Sequence, residues 1–290
     1  MSFATDVKNE LIEVSDHSKQ DILLYGVLYG MRGTDFPVLY SENQAVIEYL
    51  KKLLSGEQYE VTSSFKRNTT QYALTITEYD GLLQKYNFRS AAVNTEFVDG
   101  NDVDTGMFLR GVFLACGSIS DPNREYHLEL TLSTEEKCSA IYSLINEQGM
   151  SIKKSTRGGQ AFLYAKESER ISDFLTYIGA MLHSMEIMNV KIYKDVRNNV
   201  NRAVNCEAAN IGKTVAAAQK QIEDIELIEQ LKGLNSLSED LRQVAEIRLE
   251  NADMSLREIG EMLNPPISRS GVNHRLGRIS RIADSLRNKG

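Results

Sequence analysis

The sequence predicts an α+β front portion, in which two pseudo-symmetric halves share one curved antiparallel sheet, followed by an all-α tail. Three observations carry that reading. An apolar, glycine-bearing segment occurs twice, and the copies align Leu24 with Leu109, Gly26 with Gly111 and Val27 with Val112. Each copy is followed by the same succession of strand, helix, hairpin and helix. The last stretch, Ser255 to Leu286, reads as two amphipathic helices around a proline-bearing turn. Residues 1–190 form the tandem-repeat domain, with repeats at about 20–90 and 105–182; residues 191–235 form a helical polar linker; residues 236–290 form the tail domain.

In the first repeat the apolar segment Leu24–Gly33 leads to a strand at Pro37–Tyr40 and a helix at Ser41–Leu54. A hairpin then runs Tyr59–Phe65 and Gln71–Thr77, with Asn68-Thr69-Thr70 near its turn, and a helix at Tyr79–Phe88 closes the unit. In the second repeat the corresponding pieces are a strand at Tyr126–Leu132, a helix at Thr134–Gln148, a hairpin of Ser151–Thr156 with Gln160–Ala165, and a helix at Ser168–Met181. Gly158-Gly159 supplies that hairpin's turn. A glycine inside a helix is unfavourable by about 1 kcal/mol relative to alanine. Small residues four apart, Gly26 with Gly30 and Gly111 with Ala115, clear one side of each helix. The two repeat helices are therefore expected to pack together about a pseudo-twofold axis.

A long helix is expected from Ala208 to Leu231, preceded by an asparagine-rich, basic connector, Val190 to Asn210. The connector's Lys194, Arg197 and Arg202 suit either phosphate or water. Beyond it, Ser255 and Glu258 have capping-box spacing, and Leu256, Ile259 and Leu263 share a stripe. Asn264-Pro265-Pro266 stops that helix. A second begins near Ser268, with Val272, Leu276, Ile279, Ala283 and Leu286 on its apolar face. Short helix, sharp turn and longer helix make the helix-turn-helix pattern, whose second helix enters the DNA major groove. From Ile267 onward Arg269, Arg275, Arg278, Arg281, Arg287 and Lys289 face only Asp284, a local cationic excess that phosphate binding requires.

The chain as a whole carries a net charge of −7, concentrated in its front portion, so that portion is a poor general polyanion binder. Its 290 residues allow about two domains. No run approaches the ~20 apolar residues of a membrane span, and the N-terminus lacks a secretory pattern, so a cytoplasmic, nucleoid-associated protein is expected. Cys116, Cys138 and Cys206 show no metal-ligand spacing, and His17, His127, His183 and His274 form no cluster; no metal or cofactor site is expected. Gly212-Lys213-Thr214 is no phosphate loop, because Glu207 stands where the motif needs its first glycine. Ser118 and Ser120 have no nearby histidine base.

The repeated segment, Leu109-Arg-Gly-Val-Phe-Leu-Ala-Cys-Gly in its second copy, resembles the LAGLIDADG motif of homing endonucleases. In that family paired helices bring together carboxylates that hold divalent metal for phosphodiester cleavage. Those positions fall here on Met31 and Cys116, neither of which supplies the hard oxygen donor magnesium requires. Asp35 and Asp121 lie a few residues downstream as candidate substitutes, but both follow the helix ends in expected loop. With Lys194-Asp-Val-Arg-Asn-Asn-Val-Asn-Arg-Ala-Val-Asn-Cys and Ser255-Leu-Arg-Glu-Ile-Gly, the chain resembles the WhiA family of bacterial transcription regulators over nearly its whole length. The resemblance implies a LAGLIDADG-like domain without nuclease activity joined to a module similar to sigma-factor region 4. It further implies a role in sporulation, or in cell division and chromosome segregation.

The expected function is thus non-enzymatic binding of double-stranded DNA. Base readout is assigned to Arg269, Ser270, Asn273 and His274, since arginine pairs with guanine and asparagine with adenine. Phosphate contact is assigned to Arg278 and Arg281, with Arg257 and Arg275 beside them and Lys194, Arg197 and Arg202 as accessory contacts. Two alternatives stand beside this: a metal-dependent endonuclease, and an adaptor that docks on RNA polymerase or another regulator.

Overall fold

The computed structural model describes residues 2–13, 19–33, 35–66, 68–98 and 101–288, so His17 and Lys289 lie outside the described residues. The chain forms two compact units, Met1–Asp195 and Val196–Gly290.

The first unit opens with helix α1 (Phe3–Glu13), absent from the sequence reading, and α2 (Gln20–Gly30). Then come β1 (Val38–Ser41), α3 (Gln44–Leu53), the hairpin β2 (Gln58–Lys66) and β3 (Thr69–Glu78), and α4 (Asp80–Tyr86). The second repeat follows the same order: α5 (Asp102–Cys116), β4 (Gly117–Ile119), β5 (Leu128–Thr131), α6 (Glu135–Glu147), β6 (Lys153–Arg157), β7 (Gln160–Ala165) and α7 (Ser168–Ile178). The expected shared sheet is instead two antiparallel sheets, one per repeat, ordered β1-β3-β2 and β4-β5-β7-β6. Each repeat satisfies its own backbone. The chain leaving α5 pairs through β4 with β5, and the chain leaving α2 pairs through Arg32 with Val38.

Helices α2 and α5 are the centre of this unit. Both are buried almost all round, as the apolar segments require, and they meet through glycine. A Cβ placed on Gly26 would lie 2.1 Å from the carbonyl oxygen of Phe108, and one on Gly111 would lie 2.2 Å from that of Leu23. Only hydrogen at both positions lets the two backbones touch. Around them Tyr25, Tyr29, Phe108, Val112 and Phe113 join one core with the inner faces of both sheets.

Helix α8 (Met181–Lys232) begins far ahead of Ala208, because the polar run contains no proline and its single glycine, Gly212, lies deep in the helix. Its start is held by α1: Glu10 accepts from the amides of Leu182 (2.7 Å) and His183 (3.2 Å).

The second unit contains α9 (Glu239–Glu250), α10 (Leu256–Met262) and α11 (Arg269–Arg287), packed on Ile225 and Ile228 near the end of α8. Its core is separate: Leu241, Val244, Ile259, Val272, Leu276, Ile279 and Ala283. Arg248 is also buried, donating to the carbonyls of Ala252 (3.2 Å) and Met254 (2.7 Å) and so fastening the loop between α9 and α10. Among the described residues no helix is long and apolar enough to cross a membrane.

Candidate nucleic-acid interface

The tail has the expected local construction. Ser255 and Glu258 form the capping box that starts α10, and Ser268 caps α11 by accepting from the amide of Gly271 at 3.2 Å. Gly260 allows the turn to close. Its carbonyl accepts from the Ile267 amide at 3.0 Å, and a Cβ on Gly260 would stand 2.3 Å from the Ile267 carbonyl oxygen.

Burial then divides α11 by face. Val272, Leu276, Ile279 and Ala283 are buried, whereas Arg269, Ser270, Asn273, His274, Gly277 and Arg281 are exposed along the opposite side. Ser270 shares a hydrogen bond with Ser268 (2.9 Å), and among the described residues Arg281 donates only to the Gly277 carbonyl of its own helix (3.2 Å). Arg257 lies free on α10 apart from an exposed pair with Glu261 at 2.9 Å, the kind of contact worth little in water.

The remaining arginines are engaged by the protein. Arg275 donates to the Asp240 carbonyl (3.2 Å) and Arg278 pairs with the Asp240 carboxylate (3.1 Å), bracing α11 against α9. Arg287 pairs with the buried Asp224 at 2.7 Å. Lys194 belongs to the first unit, where it donates to the Pro122 carbonyl at 2.6 Å and covers the Tyr126 ring. Arg197 and Arg202 are exposed on α8.

The sequence reading missed Lys213. A cleft of about 660 Å³ in the second unit has α8 as one wall and α10 and α11 as the other. Lys213, Arg248, Arg257, Arg269 and Asn273 line it, with Asp253 its only carboxylate. Lys213 was legible only as part of a failed phosphate-loop motif; tertiary packing puts it beside the candidate readout residues.

At the ends of α2 and α5 the first unit has Met31, which is buried, and Cys116, whose thiol burial pushes up to about 12. Two lysines complete the arrangement. Lys137 on α6 donates to the carbonyls of Tyr29 (3.0 Å) and Phe88 (2.6 Å), and Lys8 on α1 donates to that of Leu114 (3.1 Å). Tyr29 and Leu114 are equivalent positions in the two repeats. Each ammonium therefore meets an orphan carbonyl at a helix C-terminus, where the helix dipole favours positive charge. These donors do not fit a divalent metal: a thioether, a protonated thiol and two cations offer it no anionic oxygen. Asp35 is an exposed loop residue and Asp121 a half-buried one, and Asp121 is occupied by Asn123, whose hydrogen bonds hold its carboxyl below the usual range.

Burial lowers the pKa of both lysines to about 8. The folded state thus releases these protons before the unfolded chain does. The lysines' contribution to stability should rise between pH 8 and 10, by up to about 3 kcal/mol per group, and be flat below pH 7, while the raised Cys116 thiol opposes it above pH 9. Urea unfolding across that range should show the rise, and Lys137→Met should reduce it to the share due to Lys8; an unchanged slope in the variant would remove Lys137 as a source.

Comparison with known proteins decides the family. A family model described as the WhiA C-terminal HTH domain matches residues 200–283, and one described as the WhiA LAGLIDADG-like domain matches residues 105–197. A probable cell division protein WhiA of Clostridium acetobutylicum is 38% identical, with 100% of both chains covered.

The chain belongs to the WhiA family.

A WhiA relative from Lachnospira eligens is 38% identical over 99% of this chain and 98% of its own. The crystal structure of full-length DUF199/WhiA from T. maritima has a TM-score of 0.59 at 28% identity, covering 98% of this chain and 99% of that one. The isolated N-terminal LAGLIDADG domain of DUF199/WhiA, at 23% identity and a TM-score of 0.50, agrees in fold over 61% of this chain and 92% of its own. The WhiA-type architecture expected from the sequence, LAGLIDADG-like repeats followed by a helix-turn-helix, is therefore the one present.

Proposed function

We propose that the protein is a DNA-binding transcription regulator that acts at the nucleoid in cell division or chromosome segregation, and in sporulation where the host sporulates. The observation that supports it is the exposed face of α11, where Arg269, Ser270, Asn273 and His274 stand on the first two turns. These are the turns that meet base edges when such a helix lies in the major groove. Arg257, Lys213 and Arg281 flank them as phosphate contacts, and Arg275 and Arg278 position the helix through Asp240. The probable cell division proteins among its relatives supply the cellular role.

The repeat unit acts without cleaving DNA, since Met31 and Cys116 stand where the fold's nucleases need carboxylates, and Lys137 and Lys8 add positive charge at the same helix ends. Polymerase docking and nuclease action have no comparable structural support.

The full-length protein should retard selected genomic fragments far more strongly than random duplex and leave plasmid intact with magnesium. Equal retardation of both at about 50 mM salt would reject the reading. Arg281→Ala should weaken both classes of complex and lower the salt slope by about one. An unchanged slope would remove Arg281 from the phosphate contacts.

A further inference from the structure

A second cleft, of about 470 Å³, lies within the first unit at the seam between its two repeats. Leu28, Met31 and Phe88 give it an apolar floor, and Arg32, Arg89 and Lys137 line it as well; no Asp or Glu does.

Lys137 is 5% exposed, so its charge is almost wholly removed from water. Buried charges are ordinarily paired, yet no carboxylate meets this one. An ammonium has three hydrogens to donate. Two go to the carbonyls of Tyr29 and Phe88, and the ammonium lies 4.4 Å from the centre of the Tyr29 ring, so that all its partners among the described residues are uncharged. The guanidinium of Arg32 has neither a hydrogen bond nor an ion pair with any described residue. Arg89 donates to the Asp35 carbonyl (2.9 Å) and the Tyr79 hydroxyl (2.8 Å), both uncharged, and its charge repels that of Lys137. Ser133 and Thr134, at the start of the 13-residue helix α6, add hydroxyls to the same wall.

We propose that this cleft binds a small organic phosphate, its apolar body on Leu28, Met31 and Phe88 and its phosphoryl group among Arg32, Arg89 and Lys137. Three cations with no carboxylate fit a dianion better than a monocarboxylate, and a guanidinium matches phosphoryl oxygens two at a time. The cleft lies within the usual size range for small-molecule sites, and its apolar floor with a few convergent polar groups is their usual chemistry. A duplex backbone is too broad to bring a phosphate to an ammonium as recessed as Lys137.

The test is calorimetric titration of the full-length protein with phenyl phosphate, and separately with inorganic phosphate, against sodium sulfate at matched ionic strength. Phenyl phosphate should saturate one site and bind more tightly than inorganic phosphate, with sulfate weakest. Arg32 is exposed, so Arg32→Ala should keep the melting temperature while weakening phenyl phosphate about tenfold, the value of one charge-assisted hydrogen bond. Lys137→Met should abolish binding if it folds; Arg32→Ala decides the matter if it does not. The proposal is overturned by the absence of saturable binding, by equal affinity for sulfate, or by an unchanged affinity in Arg32→Ala. It is also overturned if Arg32→Ala weakens duplex DNA binding while phenyl phosphate fails to bind, which would make this wall a DNA contact.

Discussion

Gly111→Ala should destabilise the repeat unit by about 3 kcal/mol, at the upper end of what overpacking a core does. The added methyl would stand 2.2 Å from the Leu23 oxygen, 2.7 Å from the Val27 nitrogen and 2.9 Å from the Gly26 Cα. All three atoms are backbone, so no side-chain rotation relieves the contact. Helix α5 must move off α2, and that movement opens the core at Tyr25, Phe108 and Val112 together. Gly81→Ala is the internal control, because a Cβ there meets nothing within 4 Å on the helix α4. It should be neutral or stabilising by up to about 1 kcal/mol. Urea unfolding followed by near-ultraviolet circular dichroism suits a chain with 13 tyrosines and no tryptophan. Similar midpoints for the two variants would mean that the helices do not meet through glycine.

Asn273→Ala should weaken binding to the cognate DNA by about 1–3 kcal/mol and leave random duplex almost unaffected. Its amide is exposed on the outward side of α11 and makes no hydrogen bond with any described residue, so both amide groups are free to read an adenine edge. Removing it takes away discrimination without touching the backbone contacts that hold the duplex. Anisotropy titrations on matched specific and scrambled duplexes separate the two. Equal losses on both would move Asn273 from base readout to general attachment.

The repeat architecture was legible because its cause is local. Glycine at 26 and 111, within otherwise apolar helices, signals close backbone approach before any partner is known. The same holds for α10 and α11, where a capping box, a proline turn and a regular apolar stripe all agree. Helix α9 was missed because its buried stripe, Leu241, Val244 and Ala245, continues into Arg248, a charged residue that reads as solvent-facing. Helix α1 carries its own apolar stripe, Phe3, Ala4, Val7, Leu11 and Ile12, but the stripe is short and lies at the chain's start, outside the repeated pattern that organised the reading. Lys8 and Lys137 illustrate the limit most clearly. Each looks like an ordinary surface lysine, and the helix-end carbonyl each one meets, Leu114 or Tyr29, lies more than a hundred residues away. Two separate sheets replaced the expected single one because strand order depends on which edges pair, and hydrophobic alternation is silent about that.

The paired lysines also bear on whether a metal centre could be built at these helix ends. Putting aspartates back at positions 31 and 116 would place two anions beside two ammonium groups, and each would form a salt bridge instead of gathering magnesium. A working centre would need changes on four elements at once, with α1 and α6 giving up their ties to the helix ends. Every intermediate on that route would lose a buried contact before gaining any chemistry. The packing that steadies these helix ends also keeps them cationic.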